Sequence, residues 1–266
     1  RKILEFAFQL YGNVAFEVFD PLYQTLATSR DFLEANLPLD DREQSPVEMV
    51  RVLSCLAKYS GTVVGSPSAL EKAEGHARAA VDLAEQLDAP VEMSDALGTL
   101  AGIYFVRGLL PDQLEVSRRR LALSQDPRFS DLRKRSYILE SLSDALMAVG
   151  EYDHALPFLL ELEDLTIQIG VIDDYIWALG LQALCLFRLD RWEELFKREK
   201  KRRELERRHS SDQLGGGNCV ILSLSSAARA LQGDLDQARV QREEAYKFML
   251  GGAEGPPDSW GRSEFY

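Results

Sequence analysis

Five times along this chain a small residue is followed, twelve positions later, by a residue that opens a new helical segment, and the interval between occurrences hardly changes. The small residues are Gly61, Ala101, Ser143, Ala183 and Ser226, separated by 40, 42, 40 and 43 residues. Their partners are Ala73, Gln113, Ala155, Leu195 and Ala238. Gln113 is the odd member, and Leu114 fills that place if the preceding turn has one extra residue. A unit of this length cannot bury its apolar stripe alone, so consecutive units must stack on one another.

Each unit reads as a pair of helices. Its text is rich in Ala, Leu, Glu and Arg, with apolar residues recurring at i, i+3, i+4 and i+7. Period-two alternation of β-branched residues is scarce. Breaks fall at 20–21, 37–41, 45–46, 66–67, 89–90, 109–112, 126–127, Gly150, Gly170, Asp190, 215–218, 233–234 and 251–257. The segments between them run mostly 13–20 residues, the length of helices of three to five turns. The chain is therefore predicted to be all-α, with about twelve helices.

The stretch 146–156, LMAVGEYDHAL, shows how a pair closes. Gly150 ends the first helix because glycine takes the left-handed conformation without steric cost. Tyr152 packs into the corner, and Ala155 is small because the helices cross closely there. Asp190-Arg191-Trp192 and Gly233-Asp234-Leu235 repeat the arrangement.

Composition narrows the function classes. The 266 residues are 45% apolar and 28% charged, which suits an ordered protein with an extended core. No window reaches 18 consecutive apolar residues, so no membrane span is expected. A net charge of −12 argues against a general nucleic-acid surface, because phosphate binding needs clustered cations. Cys55, Cys185 and Cys219 lie far apart without paired spacing, which fits a reducing, cytoplasmic setting. The chain starts at Arg1 and stops at SWGRSEFY, so it is expected to be a segment of a longer protein.

Chemistry-bearing motifs are scarce. His76, His154 and His209 stand alone, without a metal-binding spacing. The glycines of 214–220 lack the following Lys-Ser/Thr of a phosphate loop and read as a linker, with Asn218 as an N-cap. Residues 193–209 form the one basic run, read as a solvated face laced by Glu193–Lys197, Glu194–Arg198, Glu199–Arg203 and Glu204–Arg208 pairs. Its sharper alternative is a docking face for an acidic partner domain or nucleic acid. No catalytic residue, metal site or cofactor is expected.

LMAVGEYDHALPFLLELEDL and SSAARALQGDLDQARVQREEA resemble tetratricopeptide repeats in the Gly, the aromatic or Leu two on, the Ala five on and the small residue seven before. The period is longer than the usual 34. In this it is similar to the divergent repeats of maltose-regulator-type bacterial transcription activators and related signalling ATPases. It also suits HEAT-like helix pairs. Leu139, Leu179 and Leu222 stand where the common pattern has tryptophan. The resemblance implies a right-handed superhelical solenoid of five to six antiparallel pairs: a degenerate pair in 1–45, repeats over 46–250, and an extension or further helix in 251–266.

The resemblance also implies that one face of each first helix lines a concave groove. On that face stand Asp95, Gly98, Gly102 and Phe105, then Tyr137, Glu140, Asp144 and Met147, then Trp177, Gly180, Leu184 and Phe187, with Arg188 adjacent. Glycine inside a helix costs about 1 kcal/mol against alanine, so a neighbouring helix or a ligand must approach Gly98, Gly102 and Gly180. Aromatic groups beside Glu140 and Asp144 suit an apolar segment bearing a positive charge.

The expected function is a non-catalytic module, the sensor or scaffold of a larger bacterial signalling or transcription-regulatory protein. Its guest would be a peptide, partner protein or small effector, with no direct nucleic-acid or membrane contact. The alternatives are a structural solenoid that forms oligomers and an enzyme using the groove carboxylates Glu140 and Asp144.

Overall fold

The computed structural model describes residues 46–62, 67–208 and 217–249. The expected pair in 1–45 and the extension in 251–266 lie outside the described residues. Among these residues there are ten helices and no strand. The chain divides into two compact units with the boundary between Ser130 and Asp131. The first holds α1 (Pro46–Thr62), α2 (Pro67–Gln86), α3 (Pro90–Val106) and α4 (Leu110–Leu123). The second holds α5 (Leu132–Ala148), α6 (Tyr152–Ile169), α7 (Ile172–Arg188), α8 (Trp192–Glu206), α9 (Gly217–Leu231) and α10 (Leu235–Met249).

Helix ends follow the punctuation in the sequence. Pro46, Pro67 and Pro90 open α1, α2 and α3, where a missing N–H costs nothing and the fixed φ is already helical. Asp131 caps α5 by accepting from the backbone N–H groups of Arg133 at 2.9 Å and Lys134 at 3.3 Å.

Four hairpin corners share one backbone solution. Gly108, Gly150, Asp190 and Gly233 have φ of 70°, 84°, 55° and 87°. The next residue's N–H reaches back five residues in each: Leu109 to Tyr104, Glu151 to Leu146, Arg191 to Leu186 and Asp234 to Arg229, all at 2.8–2.9 Å. This is the Schellman closure, which satisfies carbonyls that the helix end leaves open. Each of these turns has three residues, so the turn before α4 carries no extra one. Gln113 therefore holds the place of Ala155, Leu195 and Ala238, and both Gln113 and Leu114 are buried.

The spacing around the corner explains the small residues. Ala101, Ser143, Ala183 and Ser226, each seven before the left-handed residue, are buried. In the last hairpin the Ser226 hydroxyl donates to the Ala238 carbonyl at 2.7 Å. The two halves of the sequence repeat thus meet across the hairpin.

In the first unit α1, α2 and α3 pack mutually, and α2 carries a stripe of Ala69, Ala73, Ala77, Ala80 and Ala84, all buried. Two clusters form its core: Val50, Ala80, Val81, Ala84, Ala96 and Leu97, then Ala57, Ala73, Ala77, Leu100, Ile103 and Tyr104. In the second unit Leu139, Leu179 and Leu222 are wholly buried at equivalent first-helix positions. A fully buried leucine contributes about 1.5–3 kcal/mol, enough to replace the absent tryptophan as an anchor.

Candidate functional site

In the second unit, Tyr137, Glu140 and Asp144 follow a 3–4 spacing on α5 and so share one face. Tyr137 is about half exposed, and Glu140 and Asp144 are half-buried. From α7, Trp177 reaches this face: its indole Nε1 donates to Glu140 Oε1 at 2.8 Å. Two side chains expected from the sequence are thereby brought into direct contact. Asp144 also lies within electrostatic range of Cys185 on α7. Leu184 and Phe187 are half-buried, Met147 is buried, and Arg188 is exposed with its guanidinium 6.0 Å from the Tyr152 ring centre.

The glycines divide. A Cβ on Gly98 would stand 2.8 Å from the Arg120 guanidinium carbon. Arg120 is buried and donates from Nε to Ser94 Oγ at 3.2 Å. The space at Gly98 is thus taken by a side chain of α4. Gly180 faces the backbone of Gly217 at the α7–α9 contact. Gly102 is different: it is exposed with nothing within 4 Å of an added Cβ, and Phe105 beside it is 55% exposed. Asp95 is half-buried on the same helix.

The second helices carry buried charges that the sequence reading missed. Glu163 on α6 is buried and accepts from Lys201 Nζ at 2.5 Å and Gln182 Nε2 at 3.0 Å. Burial pushes its carboxyl up, but those two hydrogen bonds and the Lys201 and Arg198 charges outweigh it and hold the group below the usual 4.5. Tyr175 donates to the same carboxylate at 3.4 Å, and its phenol rises to about 12 through burial and the Glu163 charge.

Residues 193–206 on α8 are not simply a solvated face. Of the expected pairs, Glu199–Arg203 forms at 2.5 Å, but Glu194 is held by Arg191 at 2.7 Å. Arg202 has no exposed surface and bonds Glu244 on α10 at 2.7 Å and Glu206 at 3.2 Å. Asn218 lies inside the first turn of α9, buried, rather than capping it from outside. The one available signal was spacing: 199, 202 and 206 fall on one helical face.

Burial raises the Cys55 thiol to about 11, against the nearby Lys58 charge, and the Cys185 thiol to about 12, with the Asp144 charge adding to it. Both are protonated at neutral pH and so are poor nucleophiles. Among the described residues no group of three His, Cys, Asp or Glu is placed to hold a metal ion. No described helix is long and apolar enough to cross a membrane.

No protein-family model matches the chain, and no curated protein matches it either. Solved structures do. BtubC (BKLC) from P. vanneervenii superposes with a TM-score of 0.72 at 13% identity, over 90% of this chain and 94% of that one. The nearly identical TPR-like repeats of a candidate kinesin light chain from Podosopora anserina give a TM-score of 0.57 at 12% identity, over 82% of this chain and 99% of that one. At such identities the likeness concerns the fold: this is an all-α solenoid of the tetratricopeptide-like kind.

Proposed function

We propose that this chain is a non-catalytic recognition module whose guest is a peptide or partner protein carrying an apolar segment with a positive charge. The observation that supports it best is the Trp177–Glu140 hydrogen bond beside exposed Tyr137. It fixes a large aromatic group next to two carboxylates, Glu140 and Asp144, as binding hot spots require. The face continues along α7 through Leu184 and Phe187 towards Arg188. In the first unit Asp95, Gly98, Gly102 and Phe105 form the corresponding series on α3, and in the second Met147 and Gly180 are its buried members. The reading extends to a cytoplasmic setting and to the sensor part of a bacterial signalling or transcription-regulatory protein, similar to the maltose-regulator type.

A synthetic array of apolar peptides, each with a single Lys or Arg, tests it. Trp177→Ala and Tyr137→Ala should each weaken the captured peptides by about tenfold or more, with helical circular dichroism unchanged. Trp177→Phe should do the same if the N–H fixes the ring. Capture that both alanine variants leave intact rejects this face.

Self-association is a second reading, favoured by exposed Leu231, Leu235, Val240 and Tyr246 on α9 and α10. A concentration-dependent mass in light scattering, lost in Val240→Glu, would support it over recognition of a foreign peptide.

A further inference from the structure

A cavity of about 240 Å³ lies between α8 and α9, and no residue of the Tyr137–Trp177 face lines it. Lys200, Arg203, Arg207 and Arg229 line it, with Glu199, Glu204 and Phe196. Four cations and two carboxylates leave a net charge of +2 there, in a chain of net −12. We infer that this cavity is a receptor for a phosphate monoester dianion.

The cationic wall is organised around one buried acid. Glu199 is 3% exposed. Its Oε1 forms an ion pair with Arg203 Nη2 at 2.5 Å, and its Oε2 accepts from Arg229 Nη2 at 3.5 Å. The Glu199 contact engages one nitrogen of each guanidinium, and Arg229 Nη1 also lies 3.6 Å from Asp234 Oδ2, which is not part of the cavity lining. Arg229 is held further by Phe196, whose ring centre is 4.5 Å from the guanidinium carbon. Its buried Nε–H has no acceptor. Lys200 and Arg207 stand exposed at the rim, with no carboxylate partner among the described residues.

Charge and size choose the ligand. A phosphate monoester carries about −1.5 to −2 at neutral pH and offers three strong acceptor oxygens, which balances the +2 of the wall. A lone carboxylate leaves half of that charge uncompensated. The volume corresponds to about eight waters at ~30 Å³ each, room for the phosphate and a few attached atoms. Long polyanions are disfavoured by the acidic remainder of the chain.

Calorimetric titration of the full chain with inorganic phosphate, O-phosphoserine and a phosphoserine peptide, with serine as control, tests the site. The expected result is saturable one-to-one binding of at least one phosphate form and none of serine. The Lys200→Gln/Arg207→Gln variant changes two rim residues outside the helix packing, and it should bind about tenfold more weakly or worse. Binding of inorganic phosphate and phosphoserine identifies a free ligand; binding of the peptide alone identifies a modified protein as the source. No saturation by any form up to about 10 mM, or equal affinity in the double variant with its circular dichroism intact, overturns the inference. Arg203→Lys provides an independent check, because it keeps the charge but loses the fork and should still weaken binding.

Discussion

Gly180 on α7 and Gly217 on α9 pack backbone to backbone: a Cβ on Gly180 would lie 3.3 Å from both Cα and the carbonyl oxygen of Gly217. A Cβ on Gly217 would lie 2.6 Å from the Ile176 carbonyl oxygen and 2.9 Å from the Trp177 nitrogen. Neither obstacle is a side chain that can turn away. Gly217→Ala is therefore expected to destabilise by about 2 kcal/mol or more, through forced separation of the helices. Gly180→Ala should cost less, since a few tenths of an ångström relieve it. Gly102→Ala should instead gain about 0.5–1 kcal/mol, because its Cβ meets nothing and glycine is a poor helix residue. Urea unfolding of the three variants checks the order; equal effects would contradict the packing.

The shared corner geometry gives an opposed pair of expectations. Gly150 and Asp190 both have positive φ at the same point of their hairpins. Gly150→Ala places a Cβ in the left-handed region and should cost about 1 kcal/mol. Asp190→Gly removes that same strain and should gain about 0.5–1 kcal/mol. Denaturation midpoints that move in the same direction for both would refute the equivalence of the two corners.

That equivalence is the part of the fold most legible in the sequence. Left-handed corners, tight crossings and helix starts each demand particular small or cyclic residues, so Gly150, Ala155, Pro46, Pro67 and Pro90 could be placed by type and spacing alone. Glu140 and Trp177 were placed on one face by the tetratricopeptide resemblance, but their contact depends on how two helices 37 residues apart in sequence are set side by side. Gly98 and Gly102 look alike in sequence and differ in space, because only Gly98 is opposite a long side chain, Arg120. The buried charges were hidden for another reason. Glu199 and Arg202 sit in a strongly polar stretch whose apolar pattern is weak, and a charged residue turned inward leaves no periodic mark. The boundary at Ser130–Asp131 was likewise invisible in the spacing, since the interval that crosses it, 42 residues, falls within the 40–43 of the others.

Arg202 and Glu244 make an asymmetric pair, the guanidinium fully buried and the carboxylate 31% exposed. Removing the carboxylate takes one ion-pair partner from a fully buried cation that also pairs with Glu206. Removing the cation frees carboxylates that can hydrate. Glu244→Ala is thus expected to cost about 2–4 kcal/mol, whereas Arg202→Met, which fills the space with apolar atoms, should stay within about 1 kcal/mol of the parent. Thermal melts of both variants test this, and a more harmful Arg202→Met would show that the ion pair itself dominates.

Glu163 gives the chain an acid-sensitive joint between α6, α7 and α8. Its burial opposes ionisation, yet the Lys201 and Gln182 hydrogen bonds and the Lys201 and Arg198 charges keep its folded value below the usual 4.5. A carboxyl depressed on folding binds fewer protons in the folded state than in the unfolded one over the interval between the two values. Its contribution is therefore fully present above the ordinary carboxylate value and drains away as pH falls from about 4.5 through the folded value. Glu163→Gln keeps the shape but removes the charge, and should lower stability near neutrality by about 2 kcal/mol, the scale of a lost charge-assisted hydrogen bond. The gap between parent and variant should narrow steadily when melts are repeated between about pH 5 and about pH 3. A gap that stays constant across that interval would mean the loss at neutrality came from repacking and not from the ionised carboxylate.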